Sequence, residues 1–320
     1  MPGYAKFASA ETAHGIMFHH FHGARHPVSQ GSIDADRLGD IIKFLEGDFR
    51  ILDAREWIER ALAGRLKANE LCLTFDDALL SQKEVAQPVL DSLGLTGLFF
   101  VYSSVFEGGL ERLEIYRAFR TNYFDSVEEF YGAFFPLVGE SEAGERYKTM
   151  MKGFVADRYL TEFPFYSDDD RKFRFVRDMV LDTAAYNGIM DAMIERVTSI
   201  EDLSKSLWMR DSDLVELASA GHVIGLHSYS HQTTLADLAL SDQRSEYTSN
   251  VRHLEKVLGD YPDSIAHPCN SYTGETLNVL SDLGVRLGFR SNMMQPDKVG
   301  LEHPREDHAN ILAMMEQDGS

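Results

Sequence analysis

Hydrophobic and polar positions along the chain alternate between two periods. "GIMFHH" is an apolar run of strand length, and "DADRLGDIIKFLEG" after it places Leu and Ile at helical spacing behind an Asp. "ELCLTFDD" and "SQKEVAQPVLDSLG" repeat the pair, and "TGLFFVYS" supplies a further strand. Strand, helix and strand joined by short Gly-containing links predict right-handed βαβ units and a parallel sheet or barrel. The rhythm returns later. "RDSDLVELASAG" predicts a capped amphipathic helix, "HVIGLHS" a strand, "DQRSEYTSNVRHLEKVLG" a helix, "SIAHP" a strand, and "GETLNVLSDLG" with "VRLGFRSN" one more unit.

Between residues 106 and 200 the rhythm stops. "NYFDSVEEFYGAFFPLVGESEAGERYKTMMKGF" and "RDMVLDTAAYNGIMDAMIERV" are rich in aromatics and charges, with apolar spacing nearer three and four than two. They predict a helical insertion within a single α/β domain spanning 1–320. Two roles stay open for it, helices packed on the outside of the barrel or a cap over the substrate.

A hydrophobic content of 44% over 320 residues provides for a sizeable core. A formal net charge of −20 disfavours phosphate backbones and anionic lipid surfaces, so no nucleic-acid partner is expected. "MPGYAKFASAETAHG" lacks the basic start and apolar core of a secretory signal, and no run of 18 apolar residues occurs, so a cytoplasmic protein without a transmembrane segment is expected. Cys72 and Cys269 do not suggest a disulfide framework. Nothing in the sequence indicates an oligomeric state.

The chemistry begins at Asp76 and Asp77, which follow the apolar run of "ELCLTFDD". An Asp pair is usually a solvated turn or a helix cap. In a parallel sheet or barrel, however, the loops after the strands face one mouth, and "GLHSYSH" brings His227 and His231 to the same mouth. Their spacing of four predicts two imidazoles on one side of a helical turn. Two His and one Asp make the three-ligand, open-position set that catalytic zinc needs.

"TFDD" and "HSYSH", the latter within "ASAGHVIGLHSYSH", closely resemble the motifs of the polysaccharide deacetylase family, also called NodB-homology or carbohydrate esterase family four. The resemblance covers about 70–104 and 206–290, with a fainter echo at "GIMFHHFH". It implies a distorted (β/α) barrel with a mostly helical insertion, and metal-dependent removal of an acyl group, usually acetyl, from an amino sugar. Carried over residue by residue, Asp77, His227 and His231 would bind the metal and Asp76 would be the general base. Zinc is the expected cofactor, although iron, cobalt, nickel or manganese would accept the same ligands. Bound Zn²⁺ can lower the pKa of water towards about 7 and polarise a carbonyl oxygen.

Two family motifs are altered. Where the family has Arg, any residue, Pro and an aromatic, this chain has "AHPC", with Ala266 for the Arg and Cys269 for the aromatic. His267, Arg290 and Arg305 are the candidates to steady Asp76 instead, and the Cys269 main-chain N–H is the candidate oxyanion donor. The family's Leu-x-His acid has no clean counterpart. In "LEHPREDHANIL", His308 beside Asp307 is the candidate acid, against a rival view of an exposed polar tail. Of the histidines in "FHHFHGARH", His20 is expected to line the mouth.

The sequence thus predicts a hydrolase of carbon–nitrogen bonds that deacylates an amino sugar, nucleotide- or lipid-linked, in surface polysaccharide synthesis. Alternatives are an amidase of a small non-carbohydrate nitrogen compound and a non-catalytic carbohydrate-binding relative. Asp76 speaks against the latter, because a structural metal site does not need a further carboxylate.

Overall fold

The computed structural model describes residues 12–160, 166–294 and 300–318, so most of the stretch read for a secretory signal lies outside the described residues. The chain divides into two compact units, one of residues 1–111 and 208–320, the other of residues 112–207.

In the first unit eight strands form one sheet: β1 (His14–Phe18), β2 (Arg50–Ile51), β3 (Glu70–Asp76), β4 (Leu98–Val101), β5 (Val223–Leu226), β6 (Ser264–Ala266), β7 (Leu287–Phe289) and β8 (Arg305–Asp307). Every pairing is parallel and the order is β7-β6-β5-β4-β3-β1-β8. β2 is the exception to a simple ring, since it pairs with the first two residues of β3 while β4 pairs with the last three. The two ends of the sheet approach each other where the Gly288 N–H donates to the Gly300 carbonyl at 2.8 Å and the His303 N–H to the Gly288 carbonyl at 2.7 Å. The result is the distorted, nearly closed (β/α) barrel that the sequence predicts.

Side-chain alternation sorts the residues of each strand. Ile16, Phe18, Leu71, Leu73, Phe75, Phe99, Ile224 and Ile265 join one cluster with Leu38, Ile41 and Leu45 of helix α1 (Ala35–Glu46). The opposite set, including Cys72, Leu98, Phe100, Ala266, Leu287 and Phe289, packs with Trp57 of helix α2 (Ala54–Leu62) into a second cluster inside the barrel. By the same alternation Thr74 and Asp76 stand on the inner row of β3.

Further helices cover the barrel: α3 (Gln87–Leu93) after β3, and later in the chain Asp211–Ser219, Leu240–Leu258, Gly274–Asp282 and His308–Asp318. The second unit holds α4 (Arg112–Tyr123), α5 (Val127–Glu140), α6 (Gly144–Met151), α7 (Asp168–Phe175), α8 (Thr183–Glu195) and α9 (Ile200–Ser204), so the four barrel helices just named are α10, α11, α12 and α13. Its interior is aromatic: Phe119, Phe130, Phe134, Phe173 and Tyr186 are buried together. The Tyr116 hydroxyl donates to Asp191 at 2.7 Å, and Arg112 reaches the other oxygen of that carboxylate at 2.9 Å. No helix among the described residues is long and apolar enough to cross a membrane.

Gly225 on β5 shows how tightly the barrel is filled. A Cβ there would meet the Phe100 ring at 2.7 Å and the Ser264 hydroxyl at 2.8 Å. Gly225→Ala should therefore destabilise the protein by about 1–3 kcal/mol through overpacking. Urea unfolding measures this, and a variant as stable as the parent would show that the inner layer has slack.

Candidate active site

Adjacent residues of a strand point to opposite faces, so two neighbouring carboxylates reach one site only if the chain leaves strand geometry between them. It does so here. Asp76 ends β3, and Asp77 turns with φ at 80°. Among the described residues seven non-glycine positions have positive φ, and six of them, Asp77, Ala78, Ser228, His231, Cys269 and Asn270, lie just after β3, β5 and β6. Such conformations cost about 1–3 kcal/mol each and persist only where the surroundings enforce them.

Asp76 is 2% exposed and held by Arg305, which is fully buried. Arg305 Nη1 donates to Asp76 Oδ1 and Nη2 to Oδ2, both at 2.7 Å. Nη1 also reaches Thr74 Oγ1 at 3.2 Å, and Nε donates to the Arg290 carbonyl at 2.7 Å. Burial alone would raise the Asp76 carboxyl, but Arg305, helped by His227 and His19, outweighs it and holds Asp76 below the usual carboxylate range. β8 delivers this guanidinium into the barrel opposite Gly15 of β1, where a Cβ would stand 3.1 Å from the Arg305 stem. Of the three candidates for steadying Asp76, Arg305 thus holds it directly. Arg290 contributes its main-chain carbonyl. His267 turns its Nε2 to the Leu301 carbonyl at 2.7 Å and stacks on Tyr272; burial lowers it to about 4, leaving a neutral ring.

Asp77, His227 and His231 converge separately. Both His Nε2 atoms lie 3.4 Å from Asp77 Oδ1, and one ligand atom from each residue falls within 4.8 Å of the others. Asp77 Oδ1 is buried with no hydrogen-bond partner, an orphan that a cation in this cluster would satisfy. The donor set therefore fits a divalent metal of the zinc type. Burial opposes ionisation of Asp77, yet the two imidazoles and His19 keep it well below the ordinary carboxylate range.

The histidine pair does not sit on the helical turn that its spacing predicts. Residues 227–231 form an irregular loop with Ser228 and His231 left-handed, because Glu246 of α11 accepts from the Tyr229 N–H at 3.1 Å and the Ser230 N–H at 2.8 Å, holding the loop open. His227 is fixed from two sides. Its N–H reaches Asn250 Oδ1 at 3.0 Å, and its Nδ1 pairs with the Ala266 carbonyl at 2.8 Å. Asn250 is anchored in turn on the Val101 carbonyl and Ser103.

Other predicted residues are placed differently. The first-strand histidine at Asp76 is His19, with Nε2 3.8 Å from Oδ2, whereas His20 stacks on His19. Gln82 clamps that corner by donating to the His19 and Asp76 carbonyls. His308 is buried against Phe18 with its nitrogens 3.3 and 3.2 Å from the Met17 and Gly31 carbonyls and Asp307 3.3 Å away, a packing role between β1 and α13. It is neither an exposed tail residue nor, in this arrangement, a group aimed at the carboxylates. Cys269 reaches solvent, but its surroundings and then Asp77, Glu111 and Asp76 raise its thiol to about 11, so it is no thiolate nucleophile at neutral pH.

Residues 193–288 match the sequence profile of the polysaccharide deacetylase family, a span that includes His227, His231 and Cys269. No curated protein matches the chain. Among solved structures, the chain is similar to the Streptococcus pyogenes deacetylase PplD in complex with acetate, at 14% identity and a TM-score of 0.54 over 92% of this chain and 91% of that one. It is similar to IcaB from Ammonifex degensii at 16% identity and 0.51, over 92% and 91%. The deacetylase domain of BpsB from Bordetella bronchiseptica gives 14% and 0.51, over 93% and 97%. At such identities the structural likeness shows the fold, and the likeness in sequence is confined to the matched segment. Residues 193–288 are thus similar to the polysaccharide deacetylase family, and they are set in a barrel of the fold that these solved deacetylases share.

Proposed function

We propose that this protein is a metal-dependent N-deacylase of an amino sugar, removing acetyl in the first instance. The observation that carries this is the division of labour between the two carboxylates. Asp77 Oδ1 lies 3.4 Å from each of two imidazole nitrogens without a hydrogen bond of its own, while Asp76 is held apart on Arg305. A divalent cation held by Asp77, His227 and His231 would supply Lewis acidity to an acyl carbonyl and lower the pKa of water.

The chain's own groups do the rest. Asp76, kept ionised by Arg305, has lone pairs beyond the two that the guanidinium occupies, and with them it takes the proton of the attacking water. The Cys269 main-chain N–H is the donor proposed for the developing oxyanion, a role that needs no aromatic side chain. His19, beside Asp76 and partly open to solvent, protonates the departing amine in place of His308. The helical unit 112–207, with its aromatic content, is proposed to select among substrates.

Asp77→Ala, His227→Ala and His231→Ala should each lose bound metal, and Asp76→Asn should keep it while turnover falls by at least about 10²-fold. Metal analysis, together with acetate release from free, polymeric, nucleotide-linked and lipid-linked N-acetyl amino sugars and from simple amides, tests the assignment. Full metal content in the first three variants, or release from the simple amides alone, would refute it.

Arg305→Met should cost about 3–5 kcal/mol by stranding a buried carboxylate, and the double variant with Asp76→Asn should recover much of that. Equal instability of the single and double variants in denaturant would mean that the pair is not the source.

His19→Ala should slow amide hydrolysis more than hydrolysis of an ester or activated anilide, whose leaving group needs little protonation. His308→Ala should lower the melting temperature without that selectivity. The reverse pattern would return the acid role to His308.

A further inference from the structure

A metal-binding imidazole needs a partner on its other nitrogen, which fixes the tautomer and aims the lone pair. His227 has one in the Ala266 carbonyl, 2.8 Å from Nδ1. For His231 the group facing Nδ1 is the Glu111 carboxylate, at 3.9 Å. Glu111 is only 7% exposed, and at this separation its attraction is electrostatic or passes through a water. A carboxylate so placed favours the His231 tautomer with its proton on Nδ1, leaving Nε2 for the cluster around Asp77.

The ring of His231 is also held by its face. Tyr102, immediately after β4, stacks on it with centroids 5.0 Å apart and planes at 22°. The Tyr102 hydroxyl accepts from the indole N–H of Trp208. Glu111 and Trp208 are the residues on either side of the helical segment 112–207, the points where the chain leaves the barrel unit and returns to it.

Resting on the metal-site reading above, we propose that Glu111 is the positioning residue for His231, with Tyr102 and Trp208 of the same unit holding the ring by its face. Because the barrel keeps both junction residues, either can be changed without touching a ligand. Trp208 becomes a built-in reporter, since a cation that orders His231 alters the environment of the Tyr102–Trp208 pair. The other tryptophan, Trp57, lies in the inner cluster with Phe289 and His303.

The test uses the full chain and Zn²⁺ alone. Competition against a chromophoric chelator should show Glu111→Ala binding Zn²⁺ about 10–100-fold more weakly than the parent, with Glu111→Gln, which keeps an acceptor for Nδ1–H, between the two. The melting temperature of the metal-free protein should stay the same, separating positioning from general damage. Zn²⁺ should change tryptophan fluorescence in the parent, and Trp208→Phe should abolish the change while binding persists. Glu111→Ala affinity within twofold of the parent, or a fluorescence change that survives in Trp208→Phe, overturns the inference while leaving the deacylase reading intact. Failure of the parent chain to bind Zn²⁺ overturns both.

Discussion

A guanidinium buried completely inside a barrel is the constraint around which this molecule is arranged. Stripping Arg305 of water would cost several kcal/mol, and only well-directed partners offset that. Asp76, Thr74 and the Arg290 carbonyl supply them. Gly15 leaves room for the stem, and β8 has to run beside β1 to bring the head group to the end of β3. The strand at one end of the sheet therefore also furnishes the partner of Asp76, and the Arg that the resemblance would set at Ala266 of β6 has its counterpart in Arg305 of β8.

The second constraint is like charge. Asp76 and Asp77 are adjacent and both are buried, so neither could stay ionised without cationic or polarised neighbours of its own. The turn at Asp77 gives them separate surroundings, one facing Arg305 and the other the imidazoles. That turn, and the left-handed residues after β5 and β6, concentrate unfavourable backbone at the mouth. The two hydrophobic clusters and anchors such as Asn250 and Glu246 hold it in place.

The sequence makes the centre of this site legible because local order carries it. "TFDD" and "HSYSH" each follow an apolar run, and parallel strands bring their C-terminal ends together without further information. Arg305 is 229 residues from Asp76, and nothing local separates it from Arg290 or His267. β2 and β8, two and three residues long, are too short to show a period. The choice between His19 and His20 turns on alternation along β1, whose five residues are all buried, so the apolar run does not reveal which face is which. The spacing of four between His227 and His231 suggested a helix because the carboxylate that keeps that loop open, Glu246, lies in a different element. Glu111 gave no signal at all, standing beyond the strand rhythm.

The histidine loop also explains why a helical segment can be inserted where it is. β4 and β5 are adjacent in the sheet, yet 96 residues, 112–207, are inserted in the connection between them. Such an insertion leaves the mouth intact only if the ends of both strands are fastened independently of it. They are: the Ser104 N–H donates to the Tyr229 carbonyl, the His227 N–H reaches the Val101 carbonyl, and Asn250 bridges Val101 to His227. These bonds lie within the barrel unit, so His227 and the loop that carries His231 are held without help from residues 112–207. Glu111 and Trp208, the barrel-unit residues that border the segment, lie next to this loop through His231 and Tyr102, so the chain leaves and re-enters the barrel unit beside the candidate site.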